Sequence, residues 1–86
     1  MRPAEIQAEL QTERIALAKA DRDIAAGEMR LRNQESLVSA LRDRGDNAEQ
    51  AERLVALLGV TLQEWQRHRG LIVERIAYLE GKRDTG

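Results

Sequence analysis

The sequence predicts an all-α fold, an antiparallel two-helix hairpin of the coiled-coil type that pairs into a four-helix bundle. Three observations predict it. Charged residues make up 34% of the chain and aromatic residues 2%, a composition typical of long helices rather than sheets. Apolar residues follow a heptad spacing in both halves of the sequence. One clear break, RDRGDNAEQ at residues 42–50, separates those halves.

The first helix is predicted over about residues 3–44 of a single domain, 1–86. Pro3 suits a first helical turn, because the N–H that proline lacks would have no helical partner there. Apolar residues then recur every seven positions, at Leu10, Leu17, Ile24, Leu31 and Val38. A heptad repeat keeps one line of side chains facing a partner helix. Leu17, Ile24 and Leu31 are therefore candidate residues of an interhelical seam.

The break predicts a short turn at about residues 45–46. Gly45 can adopt the left-handed conformation that ends a helix. Asp46 or Asn47 can then cap the next helix, and Asp46 with Glu49 has the spacing of a capping box. A break this short favours an antiparallel arrangement of the two helices.

The second helix is predicted over about residues 47–81, with a frayed tail over 82–86. Its apolar positions alternate in steps of four and three, and Arg69 is the one polar residue among them. The series consists of Ala51, Val55, Leu58, Leu62, Trp65, Arg69, Ile72, Ile76 and Leu79. We expect Leu58, Leu62, Trp65, Arg69 and Ile72 to pack on the seam of the first helix.

In a hairpin centred on Gly45, residues whose numbers sum to about 90 lie opposite each other. This register places Trp65 against residues 25–27. We interpret Gly27, Gly59 and Gly70 as points of close helix approach, with a local kink as the alternative.

Arg69 has two interpretations. The register brings it near Asp21, and a partly buried Arg69–Asp21 pair would fix the register of the helices. Alternatively, Arg69 lays its aliphatic stem along the seam and keeps its charge in water.

Further apolar residues lie off the seam, and one hairpin cannot bury them. They are Ala8, Ile15, Ala18, Ala25 and Met29 in the first helix, and Leu54, Leu57, Val60 and Leu71 in the second. Exposed apolar stripes usually mark an interface. We therefore predict a homodimer; the competing hypothesis is one hairpin docked on a different protein.

Catalytic, cofactor and metal sites are not expected. The chain has no Cys, one His and no glycine-rich phosphate loop, so the residue sets that carry such chemistry are missing. Its net charge is −1 and its arginines are interleaved with acids, which makes nucleic-acid binding a minor alternative.

The N-terminus lacks an apolar signal-peptide core, and no segment is apolar enough for a membrane span. We expect a non-enzymatic cytoplasmic protein.

His68 is the one side chain with a phosphoacceptor alternative. As a surface residue it would pair with Glu64, four positions earlier on the same helix. As a phosphoacceptor it would make the chain a signalling hairpin or adaptor. His68-Arg69 is similar to the start of a histidine-kinase phosphoacceptor box, but Ile72 stands where that box has a polar residue.

The order of motifs over residues 20–76 resembles a family of short helical-hairpin proteins from α-proteobacteria with no assigned activity. The motifs are ADRDIAAGE, then QESLVSAL, then the GDN turn, then AERLVALL, and a late His-Arg. Asp46-Asn47 departs from the Asp-Thr of the family pattern, although Asn caps a helix as well as Thr does. The resemblance implies a bacterial source and a hairpin fold.

Overall fold

The computed structural model describes residues 2–85, which form two α-helices and no strand. Helix α1 spans Pro3–Asp43 and helix α2 spans Glu49–Thr85. The two helices pack along their whole length as an antiparallel hairpin that measures 64 × 15 × 14 Å. The predicted all-α hairpin is therefore confirmed.

Gly45 ends α1, as its sequence position predicts. Its φ angle is +73°, a conformation in which a side chain would be strained. The Gly45 amide donates to the Arg42 carbonyl at 3.0 Å, and the Asp46 amide donates to the Leu41 carbonyl at 2.9 Å. These two hydrogen bonds form a Schellman motif, which satisfies carbonyl groups at the end of α1.

Asn47 stands two residues before the second helix and caps its start. Its Oδ1 accepts a hydrogen bond from the Glu49 amide at 2.9 Å, a local side-chain contact that satisfies one of the free amide groups of the first helical turn. The capping box of Asp46 and Glu49 does not form. The Asp46 carboxylate instead lies 3.2 Å from the guanidinium of Arg44. Regular helix starts at Glu49, two residues later than expected, because residues 47 and 48 complete the turn.

The end of α2 corrects a second expectation. The helix continues to Thr85, through four of the five residues predicted to fray; Gly86 lies outside the described residues. Lys82 and Arg83 stand in the last turn, where positive charge is favourable beside the helix dipole. The Thr85 hydroxyl also donates to the Gly81 carbonyl at 2.9 Å. Residues 82–85 contain no proline or glycine that would break the helical pattern.

The core is a line of side chains between the helices, with a closed cluster at each end. At the free end, Leu10 and Leu79 are fully buried and pack with Ile6. At the turn end, Val38 packs with Ala48 and Ala51. These clusters hold both ends of a narrow structure together, so apolar burial supports the hairpin over its whole length.

Candidate interaction surfaces

All eight predicted seam residues lie between the helices. Ile24, Leu62 and Ile72 are buried, and the other five are half-buried, namely Leu17, Leu31, Leu58, Trp65 and Arg69. The seam therefore serves the hairpin itself. A partner protein would therefore meet other residues.

Gly27 is a point of close helix approach. A Cβ atom built at this position would lie 2.8 Å from Leu62 Cδ2 and 3.1 Å from Trp65 Cζ3. Trp65 therefore packs where the register places it, over buried Gly27. The same interpretation is wrong for Gly59 and Gly70, because a Cβ at either would have no neighbour within 4 Å.

Two polar seam residues find partners across the hairpin. Arg69 Nε donates to Asp21 Oδ1 at 2.5 Å, with side chains 42% and 51% exposed. The structure thus brings the expected pair together, at the edge of the seam where the charges stay hydrated. Gln34 Nε2 donates to the Ala51 carbonyl at 3.3 Å. Both contacts satisfy polar groups that the heptad pattern places among apolar ones.

Three ion pairs between the helices line one side of the hairpin. They are Arg14–Glu80 at 3.2 Å, Asp21–Arg69 at 2.5 Å and Arg42–Glu52 at 2.9 Å. The α1 partners are multiples of seven residues apart, so they share one longitudinal line of the helix. We call this side the ion-pair face.

The opposite side of the hairpin carries exposed leucines. Leu37 and Leu54 line one shallow depression beside the seam residues Leu41 and Ala51. This side continues along α2 through Leu57, Leu71 and Tyr78. Leu57 is one helical turn from Leu54, and it is separated from Leu71 and Tyr78 by multiples of seven residues, so all three lie on one line of the helix. We call this surface the apolar face, defined by Leu37, Leu54, Leu57, Leu71 and Tyr78.

Exposure separates the two faces. Among residues 2–85, nine large apolar side chains are exposed. Five of them form the apolar face, where their exposed fractions run from 42% at Leu54 to 62% at Leu57. Ile15, Met29 and Val60 lie on the outer ridges, and Val73 alone lies on the ion-pair face. The apolar residues predicted off the seam in α2 are thus all exposed. Leu37 and Tyr78 were missed, although their heptad positions relative to the seam could have identified them.

His68 is exposed and lies beside the seam on the same side as the apolar face. It lines a shallow depression with Lys19, Asp23 and Ile72. The expected pairing of His68 with Glu64 is not formed, because Glu64 accepts a hydrogen bond from Arg67 at 3.3 Å. Lys19 and Asp23 pair with each other at 2.6 Å.

Arginines of both helices lie in ion pairs, which bears on the nucleic-acid alternative. Arg42, Arg44, Arg67 and Arg69 each lie within 4.0 Å of a carboxylate. Within residues 2–85, no three potential ligands among His, Cys, Asp and Glu come together as a metal site. Neither helix, over the same residues, has a stretch long and apolar enough to span a membrane.

Comparison of the chain with protein-family models, with curated proteins and with solved structures finds no match.

Proposed function

We propose that this chain is a non-enzymatic protein–protein interaction module that works as a homodimer of helical hairpins. The observation that carries the proposal is that five large apolar side chains are exposed on one face of the hairpin, three toward the turn and two toward the free end. Water is a costly environment for exposed apolar surface, and several such side chains on one side of a folded protein favour contact with another chain. Two hairpins that pack together would form the four-helix bundle expected from the sequence.

The surface chemistry supports binding rather than catalysis. The depressions on the hairpin are shallow and lie along the edges of the seam, and an enzyme site usually encloses its convergent polar groups. The arginines held in ion pairs are a poor platform for nucleic acid, which favours free cations and stacking aromatics. We place the module in the bacterial cytoplasm, following the sequence resemblance to α-proteobacterial hairpin proteins.

Light scattering coupled to size-exclusion chromatography tests the dimer. The chain has a mass of 9.7 kDa, and we expect twice that mass at tens of micromolar, with dissociation on dilution. A mass of one chain throughout that concentration range would contradict the dimer.

The exposure of His68 favours one alternative, a signalling hairpin with a phosphoacceptor histidine. An acceptor must be open to a kinase, and His68 is exposed. Transfer of an acid-labile phosphoryl label from a histidine kinase of the host to the wild type, and not to His68→Gln, would support it. Equal labelling of both proteins, or none, would remove it.

A further inference from the structure

We propose that the apolar face is the surface on which a second copy of this chain docks, and that the ion-pair face lies on the outside of the resulting bundle. This inference rests on the proposed dimer and adds which side of the hairpin forms it. Of the exposed large apolar side chains, five lie on the apolar face and Val73 alone lies on the ion-pair face.

The hairpin exposes more surface than a compact monomer of the same mass, and this excess is large enough for a dimer interface. The chain exposes 6308 Å², whereas a compact monomer of its mass is expected to expose about 5,100 Å². The excess of about 1,200 Å² compares with about 800 Å² that each partner buries in an interface of standard size. A second hairpin laid along the apolar face would therefore bring each chain close to the exposure of an ordinary folded protein.

The charges near the apolar face are compatible with an identical partner. Glu9 and Arg75 pair across the hairpin on this side at 2.7 Å, and Lys19 pairs with Asp23 at 2.6 Å. Arg75 also lies over the Tyr78 ring, 5.4 Å from its centroid. Because these two pairs are matched within each chain, they add no net charge to the face and do not oppose the approach of an identical face.

The distribution of apolar residues suits a two-fold contact. Leu37, Leu54 and Leu57 lie toward the turn, while Leu71 and Tyr78 lie toward the free end. A symmetric dimer uses the same patch on both subunits. With apolar side chains at both ends of the face, apolar surface meets apolar surface whether the hairpins run in the same or in opposite directions.

Paired substitutions on the two faces test the assignment. The first variant is Leu54→Glu with Leu57→Glu on the apolar face. Its matched control is Ala25→Glu with Val73→Glu on the ion-pair face, which adds the same charge at exposed positions of the same hairpin. Leu54 and Val73 are 42% and 41% exposed, so the comparison is between side chains with similar exposure.

We expect sedimentation equilibrium to show that the apolar-face variant dimerises at least about tenfold more weakly than the wild type, because it replaces two apolar side chains of the interface with charged ones. The control should keep the wild-type dissociation constant. A wild-type constant for the apolar-face variant, or a loss of dimer only in the control, would overturn the inference and leave the dimer itself in place. A monomeric wild type would overturn both proposals.

Hydroxyl-radical footprinting of the wild type gives a second readout that needs no variant to fold. Between monomer and dimer concentrations, Tyr78 and Leu57 should lose reactivity while Val73 keeps it. Protection of Val73 with unchanged Tyr78 and Leu57 would place the interface on the other side and contradict the inference. Far-ultraviolet circular dichroism of the two variants should match the wild type, since all four substituted side chains are exposed.

Discussion

Gly27 lets the two helices approach closely at the position where Trp65, the largest side chain between them, packs against α1. Trp65 and Leu62 occupy the space that a side chain at this position would take. Glycine costs helix stability relative to alanine, by about 1 kcal/mol in a helix interior. At Gly27 the packing of Trp65 offsets that cost, whereas Gly70 has no neighbour to make room for.

Gly27→Ala and Gly70→Ala should therefore differ in the free energy of unfolding. We expect Gly70→Ala to raise it by up to about 1 kcal/mol, through helix propensity alone. Gly27→Ala should be less stable than Gly70→Ala by about 1–3 kcal/mol, because Leu62 and Trp65 must move. Urea denaturation followed by circular dichroism measures both. Equal gains from the two substitutions would show that Gly27 is not a tight contact.

The pair of Arg69 and Asp21 has a short distance and a small expected energy. Both side chains are about half exposed, and exposed ion pairs contribute about 0.2–1 kcal/mol. A double-mutant cycle of Arg69→Met and Asp21→Asn should give a coupling energy in that range. The exposed Arg67–Glu64 pair within α2 serves as the control. A coupling above about 2 kcal/mol would show that the pair is desolvated in solution, as in a buried salt bridge.

Most of the fold follows from the periodicity of the two helices. Steps of four and three residues identify the seam because the period is read directly from the sequence. The register follows from the position of Gly45, and it brings Asp21 to Arg69. The heptad pattern does not predict which charged side chains pair across the helices. The pairs Arg14–Glu80 and Arg42–Glu52 need particular conformations of long side chains. The space beside Gly59 and Gly70 depends on where each glycine faces.

The turn between the helices offers a test of its capping residue. Asn47 accepts the Glu49 amide, whereas Asp46 contacts the exposed Arg44. Asn47→Ala should lower the free energy of unfolding by about 0.5–2 kcal/mol, the usual cost of a lost N-cap. Asp46→Ala is the matched control and should cost less. Thermal and urea melts compare the two, and a larger loss from Asp46→Ala would indicate that Asp46 caps α2 in solution.

Taken as a whole, the molecule is a hairpin with two unlike sides. Three cross-helix ion pairs line one side, whereas the other side carries exposed leucines and Tyr78 together with the pair of Glu9 and Arg75. The sequence predicts that apolar residues remain outside the seam, but the prediction names them separately for each helix and does not assign them to a side of the hairpin. The packed hairpin shows which residues of α1 and α2 share a side, an assignment that also follows from their heptad positions once the seam of each helix and the antiparallel register are known.

Small-angle X-ray scattering tests this account most directly, because it reports mass and length together. Two hairpins packed side by side should give a particle of twice 9.7 kDa, with a maximum dimension close to the 64 Å length of one hairpin. The mass of a single chain would contradict the dimer. A doubled mass with a doubled length would contradict lateral packing through the apolar face.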